Sequence, residues 1–294
     1  MMLSRSFVFA RNFSKLQIPK LNDINLQEVK PKVFNVELNK EKQRNAFTVD
    51  LWLELKSCIK YLSQHSACRS IVISGAGKSF TAGIDIKEEF PRIISITNDE
   101  SIDIARKGRA LMTIIEEIQE CFNVLERCPK PIISSIHSHC IGAGIDMICA
   151  TDIRYASQDS VFSIKEIDIG MAADVGTLNR IQKVVGNDSW TREIALTGRN
   201  FTADEALKFG LISRIFNSKN DCFDACVELG SLIAEKSPIA VEGTKITLNH
   251  ARNHSISDSL EFIKIWNASQ LLTEDTMIAG KSAMNRKKPE FSDI

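Results

Sequence analysis

The chain has 294 residues, 44% of them hydrophobic, with 14 glycines and 7 prolines. That suits one large domain, or a domain with an appendage, with ample material for a core. Its 37 basic and 37 acidic side chains balance, which gives no basic face for nucleic acid, and no apolar run reaches the roughly 20 residues a membrane helix needs. Eight cysteines, at 58, 68, 121, 128, 140, 149, 222 and 226, form no CxxC pair and read as free thiols in a reducing compartment.

The first twenty residues contain Arg5, Arg11, Lys15 and Lys20, and no acid precedes Asp23. Bases interleaved with Ser, Phe and Leu are the composition of an amphipathic targeting peptide, so residues 1–25 read as a mitochondrial transit peptide directed to the matrix. The terminal Ser292-Asp293-Ile294 is not a peroxisomal Ser-Lys-Leu signal. From Lys32 onward short β-branched runs alternate with helical stretches. Val33 to Leu38 alternates as a half-buried strand does, and Leu51, Leu55, Ile59 and Leu62 repeat at helical spacing. Ser70 to Ser74 is a short apolar strand, Ile102 to Cys128 a long charged helix, and Ile132 to Ile136 another apolar strand. A glycine turn and helix (Gly142 to Ala150) and the strand Ile153 to Tyr155 follow. This alternation predicts an α/β protein with its core over residues 32–220, the part that would carry any catalytic site. Beyond Lys219 the strands stop, and 222–236, 238–253 and 256–284 read as helices, with Ser237-Pro238 as a helix start. Residues 221–294 are therefore expected to form a C-terminal helical region that packs on the core or on a neighbouring subunit.

Two segments place small residues after an apolar strand: Lys78 to Lys87, around Ala82-Gly83-Ile84-Asp85-Ile86, and Cys140 to Asp146, around Gly142-Ala143-Gly144. Such turns let backbone N–H groups approach a ligand, and two donors on one oxygen make an oxyanion hole worth about 3 kcal/mol per donor. Either turn alone is equally a tight turn and nothing more. Asp146, Glu166 and Asp174 stand among apolar or small neighbours, where an acid is either paired or has a raised pKa suited to proton transfer. Singly, Asp146 also suits a dipole-stabilised helix acid, Glu166 a partner of Lys165 or an arginine, and Asp174 a cap or turn residue.

Taken together, these segments resemble the enoyl-CoA hydratase/isomerase (crotonase) superfamily over roughly residues 32–290. The resemblance is carried by Leu38-Asn39 with Arg44-Asn45-Ala46, by Ser79 to Asp85, by Cys140 to Asp146 with Ala150 to Ala156, and by Ala203 to Ile212. Within the superfamily, Ile164 to Leu178 resembles the active-site segment of the branch that converts 3,5-dienoyl-CoA to 2,4-dienoyl-CoA in the β-oxidation of unsaturated fatty acids. Asp174 is the discriminating residue, since hydratases of the family typically carry glycine there.

The resemblance implies a crotonase-like spiral of ββα units, a fatty acyl-CoA substrate, and a homo-oligomer of trimers or hexamers with the helical region 221–294 as its oligomerisation region. It implies oxyanion donors at the N–H groups of Ile84 and Ala143, and substrate contacts from Ala82, Gly83, Ile84, Asp85, Ile86 and Gly144. Asp174 is then the base at C2 and Glu166 the acid at C6, with Asp146 holding a proton in the cluster. No metal or redox cofactor is expected, because CoA is part of the substrate. The sequence departs from the family where Ala143 replaces a common glycine, where Ser138 and His139 precede the second turn, and where a proline near Lys40-Glu41 is missing. Two rivals are an enoyl-CoA hydratase, and a non-catalytic acyl-CoA or RNA-binding protein on the same fold.

Overall fold

Strand β1 (Ile24–Lys30) runs antiparallel to β2 (Val33–Leu38) and forms one edge of a six-stranded sheet. The structure, a computed structural model, describes residues 19–294, so the transit-peptide reading falls mostly on residues outside it. The last two residues of that segment, Ile24 and Asn25, begin β1, and the sheet therefore starts ahead of residue 32. Beyond β2 come α1 (Val49–Gln64), β3 (Ser70–Gly75), α2 (Ile86–Thr97), α3 (Ile104–Arg127) and β4 (Ile132–Ile136). Next are β5 (His139–Ile141), α4 (Ala143–Cys149), β6 (Ile153–Ser157) and β7 (Val161–Ser163). Helices α5 (Thr177–Val184) and α6 (Asp188–Thr197), strand β8 (Phe201–Thr202), helix α7 (Ala203–Lys208) and strand β9 (Arg214–Phe216) complete the α/β part. Four helices close the chain: α8 (Lys219–Ala234), α9 (Pro238–Ala251), α10 (Ile256–Gln270) and α11 (Glu274–Asn285).

The large sheet has the order β1-β2-β3-β4-β6-β9 and is parallel except at β1. A small sheet, β5-β7-β8, lies beside it. The chain alternates between the two, from β4 to β5 and, after α4, from β6 to β7. That alternation makes the repeating ββα spiral. Every residue of β3 and β4 is buried, as parallel strands covered on both faces require. On one face Val72, Ile133 and Tyr155 pack on Cys222, Cys226 and Val227 of α8. On the other, Ile71, Ile73 and Ile132 join Leu55 and Ile59 of α1 and Phe122 of α3 in the main core. All eight cysteines are free and buried.

Two differences from the sequence reading matter. The predicted helix 256–284 is two helices, because Thr273 takes an extended backbone and its hydroxyl accepts the Asp275 N–H at 3.4 Å as the cap of α11. Helix α2, absent from the sequence reading, starts directly at Ile86, where Asp85 caps it by accepting the Lys87 N–H at 3.0 Å. Among the described residues no helix is long and apolar enough to cross a membrane.

Candidate active site

The site grows from the loop after β2. Asn45 is fully buried, and its Nδ2 donates to the carbonyls of Ala76 (2.9 Å) and Ser79 (2.8 Å), fastening the loop to the segment after β3. That segment then runs beside the start of the small sheet. Thr81 N–H donates to His139 O at 2.9 Å, and Ile141 N–H donates back to Thr81 O at 3.2 Å. The two glycine turns are thereby laid side by side. Gly83, at φ 91°, sits so close that a Cβ there would stand 2.9 Å from Ile141 O and 3.8 Å from Ala143 N. No other residue fits at that approach.

In the first turn the flanking amides are spent; in the second those of Gly142 and Ile145 are, while Gly144 N–H, like Ala143 N–H, meets no protein acceptor among the described residues. Gly83 N–H donates to Thr81 Oγ1 (3.2 Å) and Asp85 N–H to Phe47 O (2.8 Å). Gly142 N–H donates to Ser163 O (2.8 Å) and Ile145 N–H to Gly142 O (2.7 Å). The N–H groups of Ile84 and Ala143 donate to no protein acceptor among the described residues. Two free donors in adjacent turns, one at the first residue of α4, suit a ligand oxygen that carries negative charge.

The acids lie next to the second turn. Asp146, within the first turn of α4, is 1% exposed, and its Oδ1 accepts the Thr177 N–H at 2.5 Å. Glu166 opens a 3-10 turn (Glu166–Ile169) and is also buried. Gly142 makes room for it: at φ 51° a Cβ would stand 3.2 Å from Glu166 Oε1. Asp146 Oδ2 and Glu166 Oε2 are both buried without a partner among the described residues. Burial pushes Glu166 well above the ordinary carboxylate range, and the neighbouring Asp146 charge pushes it further. Burial also raises Asp146, against the lowering effect of Thr177, and the charge of Asp174 adds to the rise. Two such carboxyls titrate as a pair, and burial together with their mutual repulsion favours keeping a proton between them. Asp174 is half-buried and raised by desolvation, with its own backbone amide pulling the other way. The structure thus brings all three predicted acids within electrostatic reach of one another.

The remaining expected residues divide. Ala82 N–H is tied to Arg44 O at 3.0 Å. The Asp85 carboxylate is engaged in capping α2, and Ile86 is exposed on that helix. Gly144 faces Thr81, whose Cγ2 would be 2.5 Å from a Cβ there, so it lets α4 close on the first turn. The methyl of Ala143 is buried in the core, 1% exposed, so this departure adds core packing. Ser138 holds a left-handed backbone, φ 50°, where glycine would be unstrained, and His139 Nδ1 is within 2.8 Å of its hydroxyl. Two contributors escaped the sequence reading. Thr177 acts through its backbone amide, and Gln119 on α3 donates from Nε2 to Asp174 O at 2.6 Å. Neither has a local sequence signal.

Comparison with known proteins adds independent findings. Residues 28–293 match the family described as enoyl-CoA hydratase/isomerase. The chain is 45% identical over 256 residues to the protein named Delta(3,5)-Delta(2,4)-dienoyl-CoA isomerase, mitochondrial, of Homo sapiens, covering 87% of this chain and 77% of that one. It is 37% identical over 262 residues to the Arabidopsis thaliana protein named Delta(3,5)-Delta(2,4)-dienoyl-CoA isomerase, peroxisomal, covering 89% and 93%. A crystal structure of enoyl-CoA hydratase from Bacillus anthracis superposes with a TM-score of 0.82 at 22% identity, covering 92% of this chain and 99% of that one. At that identity the superposition speaks for the fold alone.

Proposed function

Because the chain belongs to the enoyl-CoA hydratase/isomerase family, we propose that it is an isomerase converting 3,5-dienoyl-CoA to 2,4-dienoyl-CoA. Relatives 41% to 45% identical over most of the chain carry that activity in their names. The observation that carries the mechanism is the meeting of three acids beside two unspent backbone donors. The thioester oxygen would accept from Ile84 N–H and Ala143 N–H, which favour the dienolate over the ground state. Asp174, the least buried of the three, takes the C2 proton as a carboxylate. The electron pair moves so that C3=C4 and C5=C6 become C2=C3 and C4=C5, and Glu166 delivers its proton to C6. Asp146 keeps the charge, held by Thr177, and so holds the shared proton on Glu166. Every proton is accounted for by these carboxyls and solvent, and the scheme calls for no metal or redox cofactor.

Conjugation with the thioester makes the product absorb in the near ultraviolet, which gives the test. Purified protein with a 3,5-dienoyl-CoA should raise that absorbance, and Asp174→Asn and Glu166→Gln should each lower kcat by about 10²–10⁴-fold. Hydration of a 2-enoyl-CoA without isomerisation would move the function to a hydratase.

The mitochondrial matrix is the compartment we assign, on the basic composition of the first 22 residues, which hold no acid, and on the named compartment of the Homo sapiens relative. A homo-oligomer is supported by the C-terminal helices. Leu260 and Ile265 on α10, Leu272 in the turn after it and Met277 on α11 are each more than 60% exposed. A cavity of about 570 Å³ opens between α9, α10 and α11.

A further inference from the structure

We propose that Gln119 is the positioning residue for Asp174, which rests on the reading of Asp174 as the C2 base. From Ala172 to Val175 no backbone group bonds to any other backbone group among the described residues. Among the described residues, the one hydrogen bond that ties this stretch to the rest of the protein is Gln119 Nε2 to Asp174 O, at 2.6 Å. Upstream, the stretch is anchored by Met171 N–H on Glu166 O at 3.0 Å. Downstream, it is anchored by Thr177 N–H on Asp146 and by the packing of Arg180 over Gly176, where a Cβ would meet Nη1 at 1.9 Å. Arg180 is itself fixed, donating to Glu126 Oε2 (2.8 Å) and Asn123 Oδ1 (2.6 Å) on α3.

The loop that carries Asp174 is thus firm at both ends; in the middle Ala173 and Val175 pack on the core, and the Asp174 carbonyl is held by one side chain. That side chain sits on α3, the element that also carries Asn123 and Glu126. Orientation of the carboxylate toward C2 depends on the 174–175 peptide plane, and Gln119 sets that plane. An error of about 1 Å in a base is enough to cost on the order of 10²-fold in rate. Gln119 also lines a polar cavity of about 360 Å³, so truncation to alanine would let water take its place on the carbonyl. Leucine fills similar space and donates nothing.

The test compares Gln119→Leu and Gln119→Glu with wild type and with Asp174→Asn. For each protein kcat, KM, melting temperature and the exchange of substrate C2 hydrogen with D2O are measured. We expect both Gln119 variants to lose about 10–100-fold in kcat and in C2 exchange, with KM within about threefold and the melting temperature within a few degrees. Full activity in Gln119→Leu beside an inactive Asp174→Asn would overturn the positioning role and leave the base assignment standing. A loss that appears equally in KM and melting temperature would also overturn it, as a structural role. An active Asp174→Asn would remove the premise itself.

Discussion

Burying Glu166 beside Asp146 has a cost that depends on pH. The folded-state pKa of Glu166 lies above its unfolded value near 4.3, so above that pH the native state binds more protons than the unfolded chain. The stability this contributes is complete below about pH 4 and is lost as pH rises through the raised value. Glu166→Gln cannot ionise, so it should be inactive yet more stable than wild type by about 1–3 kcal/mol at pH 9, with a much smaller difference at pH 5. Denaturant unfolding at the two pH values checks this. A difference independent of pH would mean that Glu166 is not held protonated by its site. Activity should follow a bell, rising as Asp174 ionises and falling as Glu166 does. Gly142→Ala tests the same pocket from the backbone side. At φ 51° and 3.2 Å from Glu166 Oε1, the added methyl should cost about 1–2 kcal/mol and displace the acid. Unchanged stability and kcat would contradict that geometry.

At the scale of elements, helix α9 is tied to the core by Lys245, together with Glu242 on Lys130 (2.8 Å) and Asn249 Nδ2 on Glu126 O (3.0 Å). The Lys245 Nζ pairs with Asp152 at 2.7 Å and donates to the carbonyls of Leu125 (3.2 Å) and Lys130 (3.1 Å), at the end of α3 and just before β4. Lys245→Met should cost about 2–4 kcal/mol, since it strips a buried charge from three acceptors at once. Urea unfolding that shows a change below about 0.5 kcal/mol would assign the docking of α9 to apolar packing instead. This joint could not be foreseen, because Lys245 lies 93 residues from Asp152 in a segment that reads simply as helix. The strands β3, β4 and β6 were legible as β-branched runs, whereas β5, β7 and β8 have two or three residues each and show no period. Pro91 inside α2 hid that helix, and the break before α11 has no glycine or proline to mark it. The acids and glycine turns stood out because their residue types are chemically unusual where they occur. Thr177 and Gln119 did not, because one acts through its backbone and the other lies 55 residues from Asp174 along the chain.

For the whole molecule, apolar side chains stand exposed on α10, on α11 and in the turn between them, and the homo-oligomer proposed above would cover them. Ile265→Glu with Leu272→Glu should therefore reduce the particle mass measured by light scattering toward that of one 32.9 kDa chain. A wild-type particle with the mass of one chain would contradict the proposed oligomer, and an oligomer whose mass the two substitutions leave unchanged would contradict the part assigned to these helices. The central claim is narrower, that two carboxyls divide the proton transfers, Asp174 at C2 and Glu166 at C6. Exchange in D2O reads the two steps separately. Glu166→Gln incubated with a 3,5-dienoyl-CoA should exchange deuterium into C2, because Asp174 still removes and returns that proton, while forming almost no 2,4-dienoyl product. Loss of C2 exchange in that variant, or product formation at the wild-type rate, would contradict the division of labour on which the account rests.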